Sequence, residues 1–287
     1  MNWREEYSSL GFIVVEGALS HDLIDGHLAE VEALLREYGA TDAATFASLA
    51  PQADDRLMTA MLYLHRRGDS AGNLLHGPII RSILRQLFGG EPSLGFARSA
   101  FWQPERVRAH VDTIFRSPDP PYSVCRTWCA LEDIHPDSGL FYLVPGAHRA
   151  LAPRLCGELL SERPDLAALF DRLGEEPELW RRLHNQAWPF VSAKVESRVK
   201  PHERFAPQLK KGDVVFFNPA IAHGAFASAD PRLTRKMMLG EWTVKHPAGA
   251  EYFAPLAARA ARARLSPARK DNLIDIRPIL AARSETR

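Results

Sequence analysis

A histidine, an aspartate and a second, distant histidine place the tightest constraint on how this chain folds. His110 and Asp112 flank Val111, and His223 follows only after a long intervening segment. Side chains alternate between faces along a β-strand, so His110 and Asp112 point the same way, about 6.5 Å apart along the strand. Two imidazoles and one carboxylate form the ligand set of mononuclear non-haem Fe(II) centres, which keep open coordination positions. The pattern therefore predicts a fold in which a remote strand brings His223 to the other two residues.

These three residues alone are a weak signal, because a His-x-Asp pair is common by chance. The chain contains 11 histidines, and histidines are often simply hydrogen-bonded or surface residues. The ordinary alternative is a buried, hydrogen-bonded His110 and a turn aspartate at position 112. The sequence that flanks each residue decides between the two interpretations.

The composition predicts one globular domain over residues 1–287. An apolar content of 46% and a charged content of 25% are ordinary for a soluble protein. The net charge of +1 gives no argument for nucleic acid or a membrane surface, and no apolar run reaches the roughly 18 residues of a membrane span. The polar N-terminus shows no secretory signal, and Cys125, Cys129 and Cys156 are odd in number, with the first two poorly spaced for a bridge. We therefore expect a reduced, cytoplasmic protein.

The N-terminal third alternates between strand and helix signals. Residues 10–16 predict a strand, and Ser20 is a candidate N-cap for a helix that runs to about Tyr38 and ends at Gly39. Residues 77–90 predict a short amphipathic helix closed by glycines. The segment between them, residues 41–75, is ambiguous, with helical stretches near 42–50 and 54–66.

From residue 93 onward the periodicity is mainly that of strands separated by Pro, Asp and Gly turns. A helical insertion over residues 151–187 interrupts the strands and is a candidate lid over a site. The sequence AWPFVSAKVES after it predicts a return to strand, and RKMMLGEWTV is the last clear strand. Residues 249–287 form an Ala- and Arg-rich tail that predicts a basic helix. Periodicity alone indicates only a mixed α and β protein.

Two long segments resemble the phytanoyl-CoA dioxygenase family of Fe(II)- and 2-oxoglutarate-dependent oxygenases. The matching stretches are HVD, WCALEDIHPDSGLFYLVPGAHR and KGDVVFFNPAIAHGA, together with the opening EEYSSLGFIVVEGALSHDLID. The resemblance covers roughly residues 5–245. Two positions depart from the family pattern, since Ala147 replaces the usual serine and Ala225 stands where the family often has a serine two residues after the distal histidine. Because of Ala225, one hydroxyl contact to the cosubstrate is absent or supplied elsewhere.

The resemblance implies a fold and a chemistry. The fold is a double-stranded β-helix, or jelly roll, with flanking helices and the helical insertion. His110, Asp112 and His223 are the implied Fe(II) ligands and catalytic residues, with 2-oxoglutarate and O₂ as cosubstrates. The implied reaction hydroxylates or otherwise oxidises a C–H bond of a small metabolite and releases succinate and CO₂. The carboxylate at Asp112 argues against a halogenase, in which a small residue leaves room for chloride.

The resemblance also nominates residues for the cosubstrate. An arginine at the start of the strand after the distal histidine pairs with the far carboxylate of 2-oxoglutarate; Arg235 fits best and Arg232 competes with it. Trp128 matches a pocket-lining aromatic, although a strand tryptophan is equally often plain core. Thr127 is the alternative on the opposite face of that strand.

Substrate residues are the least defined. Arg98 and Phe101 lie on the strand that approaches the iron motif and Arg116 lies on the strand that leaves it, so we name all three as candidates. His148 and His135 are expected to be a structural turn residue and a solvent-facing residue, not ligands.

Two other functions remain open at this point. One is a non-oxidative, cupin-like metal-dependent isomerase or hydrolase, and the other is a catalytically silent small-molecule binding protein. The sequence does not identify the substrate or the oligomeric state.

Overall fold

The computed structural model describes residues 3–42, 45, 69–102, 106–112, 124–172 and 179–244. Its helices are α1 (Trp3–Leu10), α2 (His21–Glu37), α3 (Asp69–Leu75), α4 (Pro78–Phe88), α5 (Ala147–Glu162), α6 (Pro164–Arg172) and α7 (Leu179–Arg198). Its strands are β1 (Phe12–Val15), β2 (Pro92–Ala100), β3 (Val107–His110), β4 (Val124–Ala130), β5 (Phe141–Leu143), β6 (Val214–Phe217), β7 (His223–Ala225) and β8 (Met237–Val244). The described chain is therefore a mixture of helices and short strands, as its periodicity predicts.

The strands form two antiparallel sheets. The larger has five strands in the order β1-β6-β4-β8-β2, and the smaller has three in the order β3-β7-β5. Neighbours in each sheet come from distant parts of the chain, so the sheets depend on long-range pairing. Apolar side chains of both sheets belong to one core cluster, among them Phe12, Trp128 and Phe217 of the larger sheet and Phe141 of the smaller.

The other face of the five-stranded sheet packs against the N-terminal helices. Side chains that alternate with the inner set, such as Ile13, Cys125 and Phe216, join a second apolar cluster with residues of α1 to α4. Helix α2 contributes Ile24, Val31 and Leu35, which recur at helical spacing. The large sheet is therefore covered by helices on one side and by the small sheet on the other.

The ends of these helices follow the sequence signals. Ser20 precedes α2 in an extended conformation, although its side chain makes no capping hydrogen bond. Gly39 has a φ of 76° and the Ala40 N–H donates to Leu35 O at 2.8 Å, so the chain leaves α2 through a left-handed residue. Gly89 closes α4 in the same conformation, with a φ of 71°.

Helices α5 to α7 cover the small sheet. Helix α7 contacts β3, where the Glu196 carboxylate accepts a hydrogen bond from the Ala109 N–H at 2.6 Å and pairs with Arg106. Leu183, Ala187, Val191 and Val195 recur every four residues along α7 and are buried in the inner core. The Glu196 hydrogen bond to Ala109 occupies a backbone N–H of β3, an edge strand of the small sheet that would otherwise be open to pairing.

The helical insertion is longer than its sequence predicts. It begins at Ala147 and ends at Arg198, beyond the predicted range of 151–187 at both ends. The predicted strand AWPFVSAKVES is wrong, because this segment is the second half of α7 and continues through Pro189. Its valines gave a β-like signal, yet their four-residue spacing buries one helical face.

Some predicted segments lie outside the described residues. These are the helical stretch near 54–66, nearly all of 42–50, and the tail at 249–287. Among the helices that are described, none combines the length and apolar character needed to cross a membrane.

Candidate metal centre

Two neighbouring strands of the small sheet present the histidines. His110 ends β3 and His223 begins β7, and the two residues are direct partners in the antiparallel register. Their ring centroids are 4.3 Å apart. Gly224 permits the close packing of β7 between β3 and β5, since a Cβ at that position would lie 2.5 Å from Tyr142 Oη and 2.6 Å from Val107 O. The register between distant strands thus creates the histidine pair.

Asp112 completes the cluster from the turn after β3; the prediction that Asp112 shares a strand with His110 is wrong, because β3 ends at His110. Its backbone N–H donates to Pro219 O at 2.8 Å, which ties this turn to the segment before β7. The carboxylate Oδ1 lies 3.8 Å from His110 Nε2, and Oδ2 lies 3.5 Å from His223 Nε2. Two ligand atoms that are each about 2.1 Å from one first-row metal ion can be at most roughly 4.2 Å apart. Both carboxylate distances are within this limit, and the ligand atoms of the three residues all lie within 4.8 Å of one another, the cluster of this kind found among the described residues.

Hydrogen bonds set the tautomer of both histidines. His110 Nδ1 lies 2.8 Å from Arg108 O, and His223 Nδ1 lies 2.9 Å from Ile221 O. A carbonyl oxygen only accepts, so each Nδ1 carries the proton and donates it, and each Nε2 keeps its lone pair. This is the arrangement by which proteins orient metal-binding imidazoles.

The electrostatic surroundings keep His223 uncharged. Burial, opposed by the Asp112 carboxylate, lowers the pKa of His223 to about 4. The ring is therefore neutral near pH 7 and available as a ligand.

Arg126 joins the aspartate to a second carboxylate. Its Nη1 lies 2.7 Å from Asp112 Oδ1, while Nε and Nη2 lie 3.1 and 2.8 Å from Glu241 Oε2. Arg126 on β4 and Glu241 on β8 are register partners. Sequence reasoning missed this bridge, although alternation places Arg126 on the same face as Trp128.

The three candidate ligands line a cavity of about 180 Å³ between the sheets. Trp128 forms part of its wall and stacks on Phe141, with ring centroids 5.5 Å apart and planes 7° apart. Other lining residues come mainly from β2, β7 and β8 and include Arg98, Ala100, Gly224, Ala225, Met237 and Leu239. The cavity is polar at the metal ligands and apolar along much of the rest.

Arg235 reaches this cavity and Arg232 does not line it. Arg235 is only 4% exposed and donates from Nη1 to Gly139 O. Burial lowers the pKa of Arg235 to about 10, which leaves the guanidinium charged near pH 7. The side chain of Arg232 is 88% exposed and pairs with Asp230 at 2.7 Å. The structure thus separates the two arginines that the sequence left in competition.

Two nominated residues point away from the cavity. Thr127 is fully buried on the face of the large sheet that packs against the N-terminal helices. There its Oγ1 accepts a hydrogen bond from Trp242 Nε1 at 3.1 Å. It therefore does not bind a cosubstrate in the cavity. Phe101 is also wrong as a substrate residue, because its ring packs in the apolar cluster on that same face. Its contribution is a backbone carbonyl, which accepts from the Arg235 N–H at 2.8 Å.

The remaining nominated residues divide three ways. Arg98 lines the cavity, whereas Arg116 lies outside the described residues. His148 is buried and its Nε2 contacts Ser8 O at 3.1 Å, and His135 begins a surface turn, so neither joins the metal cluster.

A wider cleft opens beside the metal cluster. It has a volume of about 400 Å³ and is lined by Asp112, Arg126, Asn185 and Trp188. The Trp188 ring meets the His110 ring edge-on at a centroid distance of 5.4 Å. Sequence reasoning missed both α7 residues, because nothing local indicates that this helix borders the site.

Known structures share this fold. The chain matches the non-haem monooxygenase ThoJ in its apo form with a TM-score of 0.56 at 16% identity, over 84% of this chain and 77% of that one. It matches the epimerase SnoN in complex with Fe³⁺, alpha ketoglutarate and nogalamycin RO with a TM-score of 0.53 at 16% identity, over 88% and 87% of the two chains. For iron-bound HygX from Streptomyces hygroscopicus, the TM-score is 0.52 at 17% identity, over 84% and 87%. Identities this low show a common fold.

Sequence comparison gives the family. No curated protein sequence matches the chain significantly. The model of the phytanoyl-CoA dioxygenase (PhyH) family, however, matches residues 7–234. This range contains all three candidate metal ligands, and it spans most of the chain. The protein therefore belongs to the phytanoyl-CoA dioxygenase family.

Proposed function

We propose that this protein is an Fe(II)- and 2-oxoglutarate-dependent dioxygenase of a small-molecule metabolite, possessing a double-stranded β-helix core. It hydroxylates an unactivated C–H bond, with O₂ as cosubstrate, and releases succinate and CO₂. The observation that carries the proposal is that His110, Asp112 and His223 share one cavity with the buried cation Arg235.

The donor set fits Fe(II). Two imidazoles and one carboxylate from three chain positions leave the other coordination positions to small molecules. When bound, the iron supplies the oxidising chemistry with O₂. The chain's own groups hold the ligands: the Arg108 and Ile221 carbonyls fix the two rings, and Arg126 fixes the carboxylate.

Arg235 fits the far carboxylate of 2-oxoglutarate. A guanidinium presents paired donors to a carboxylate, and a charge-assisted pair is strongest where water is excluded. Trp128 and Phe141 form an apolar wall beside it, which suits the methylene carbons of the cosubstrate. Ala225 also lines the cavity, so position 225 supplies no hydroxyl to that ligand.

The alternatives account for fewer of these features. A cupin-like isomerase or hydrolase would use the three ligands but gives no role to a buried arginine in their cavity. A silent binding protein gives no reason for two imidazoles held in the metal-binding tautomer. SnoN, which shares the fold, carries the name of an epimerase, so the assay has to separate hydroxylation from epimerisation. The reduced thiols of the three buried cysteines, Cys125, Cys129 and Cys156, support a reducing, cytoplasmic location.

The test is succinate formation by the purified protein with Fe(II), 2-oxoglutarate and a metabolite panel. We expect succinate to appear in air and to be absent under argon or with a metal chelator. A true substrate gains the mass of one oxygen atom if it is hydroxylated and keeps its mass if it is epimerised.

Two results would contradict the proposal in different ways. Substrate conversion that needs the metal but neither O₂ nor 2-oxoglutarate would identify the isomerase or hydrolase. A protein that binds no Fe(II) at micromolar concentration would revive the silent binding protein.

A further inference from the structure

Arg98 is a third cation in the cavity, besides Arg126 and Arg235. It lies on the inner face of β2 and is the register partner of Leu239 on β8. Position 239 is four residues beyond Arg235, which corresponds to about 13 Å along an extended chain. Arg98 and Arg235 both line the cavity, and they enter it from different segments of the chain and from different positions along the sheet.

Arg98 makes no salt bridge or side-chain hydrogen bond to any residue in the described parts of the chain. Taken as a whole residue, Arg98 is exposed to solvent. Burial of part of the side chain and, second, repulsion from Arg126 lower the pKa of Arg98. An anion beside Arg98 would relieve this repulsion.

The neighbouring cation is already compensated. Arg126 pairs with both Asp112 and Glu241. These two carboxylates therefore belong to Arg126 and the metal position, and neither pairs with Arg98. Of Arg98 and Arg126, which both line the cavity, only Arg98 has no carboxylate partner among the described residues.

The cosubstrate cannot supply the missing anion. 2-Oxoglutarate has two carboxylates, one for the metal and one for Arg235 under the proposed function. A divalent ion and a doubly charged cosubstrate cancel each other, so the charge at Arg98 persists when both are bound. A ligand that pairs with Arg98 would therefore be a third molecule.

We propose that the substrate carries an anionic oxygen group, a carboxylate or a phosphate, that pairs with Arg98. A guanidinium holds either group through two parallel hydrogen bonds. The body of the substrate then lies in the cleft between Asp112 and Trp188 of α7, beside the metal ligands. This inference rests on the proposed function and names the substrate class of that site.

The test compares charged and neutral probes by calorimetry under argon. The protein is loaded with Fe(II) and saturating 2-oxoglutarate, so no turnover occurs and Arg235 is occupied. The probes are phenylacetate against phenylacetamide and phenyl phosphate against phenol; the first pair reports on a carboxylate and the second on a phosphate. The variants are Arg98→Gln, which removes the charge, and Arg98→Lys, which keeps it. Arg36→Gln, at an exposed position of α2, is the matched control for net charge.

We expect at least one anionic probe to bind about tenfold or more tightly than its neutral partner, the effect of a charge-assisted hydrogen-bond pair. Arg98→Gln should abolish this preference, Arg98→Lys should restore part of it, and Arg36→Gln should leave it unchanged. The affinity for 2-oxoglutarate should stay within about twofold in all three variants.

Three results would overturn the proposal: no anionic probe preferred over its neutral partner, a preference that survives Arg98→Gln, or a tenfold loss of 2-oxoglutarate affinity in that variant. The last result would assign Arg98 to the cosubstrate. Failure of the wild-type protein to bind 2-oxoglutarate would instead contradict the proposed function. An anion preference that depends on Arg98 would support the anionic site even then.

Discussion

The two faces of the five-stranded sheet differ in what they carry, although their residues alternate along the same strands. On β4, Arg126 and Trp128 face the cavity, while Cys125, Thr127 and Cys129 face the N-terminal helices. The inner face holds charge beside a metal cluster, and the outer face is sealed by apolar packing.

The outer face satisfies its polar groups internally. Trp242 donates to Thr127, and the buried His27 contacts the hydroxyls of Ser70 and Ser99 at 3.1 and 3.0 Å. Burial raises the pKa of the Cys125 and Cys129 thiols to about 12, which makes them poor nucleophiles. Stability and chemistry are therefore divided between the two sides, and substitutions one residue apart should have different consequences.

The largest expected effect is on the outer face. Trp242 is fully buried, so Trp242→Ala should lower the free energy of unfolding by about 3–5 kcal/mol, the usual cost of removing a buried large aromatic. Urea denaturation measures this change. Leu23→Ala, at a position that is 42% exposed, is the control and should cost much less. Equal losses for the two variants would show that the outer face is not the stabilising side.

A substitution on the small sheet, which faces the inner side of the large sheet across the cavity, should change metal binding. His223→Ala should weaken Fe(II) binding by more than about 100-fold, because changes to residues that merely support a ligand already cost about 10–100-fold. Calorimetry with Fe(II) under argon measures the affinity, and the exposed His135→Ala serves as the control. Unchanged affinity in His223→Ala would remove this residue from the metal centre.

Arg235 and Arg232 allow a comparison between an arginine buried in the cavity and one exposed on the surface. Arg235→Gln should weaken 2-oxoglutarate binding by about 10–100-fold, because it removes a charge-assisted pair from a buried position. Arg232→Gln alters an exposed ion pair and should change the affinity by less than about twofold. The reverse order of effects, with circular dichroism showing both variants folded, would transfer the cosubstrate to Arg232.

The smallest expected effect separates adjacent residues of β4. Thr127→Val leaves Trp242 Nε1 without its acceptor and should cost about 1–2 kcal/mol in unfolding free energy. The affinity for 2-oxoglutarate should not change, since the substitution lies on the outer face. A loss of cosubstrate affinity without a loss of stability would restore the original prediction for Thr127.

Local patterns predicted much of the site. The structure brings His110, Asp112 and His223 together, and it places Arg235 in their cavity. The family resemblance was confirmed by the match over residues 7–234. Each of these inferences depended on short-range features: the identity of the ligand atoms and the motif sequences that flank them.

Other predictions failed where long-range packing decided the outcome. The valines of α7 favoured a strand, yet they form one buried face of a helix that covers β3. Phe101 stands just beyond a strand whose inner face reaches the cavity, and its ring packs on the other side. A sequence window shows which residues alternate, but it does not show which face receives the helices.

The amino-acid sequence by itself determined the donor atoms and the family to which the chain belongs. Tertiary structure decided that Arg126 couples Asp112 to Glu241, that Arg98 lacks such a partner among the described residues, and that Trp188 borders the site. The physical reason is range. Backbone alternation acts between neighbours, whereas charge pairing depends on the register between strands and on the helix that packs across them.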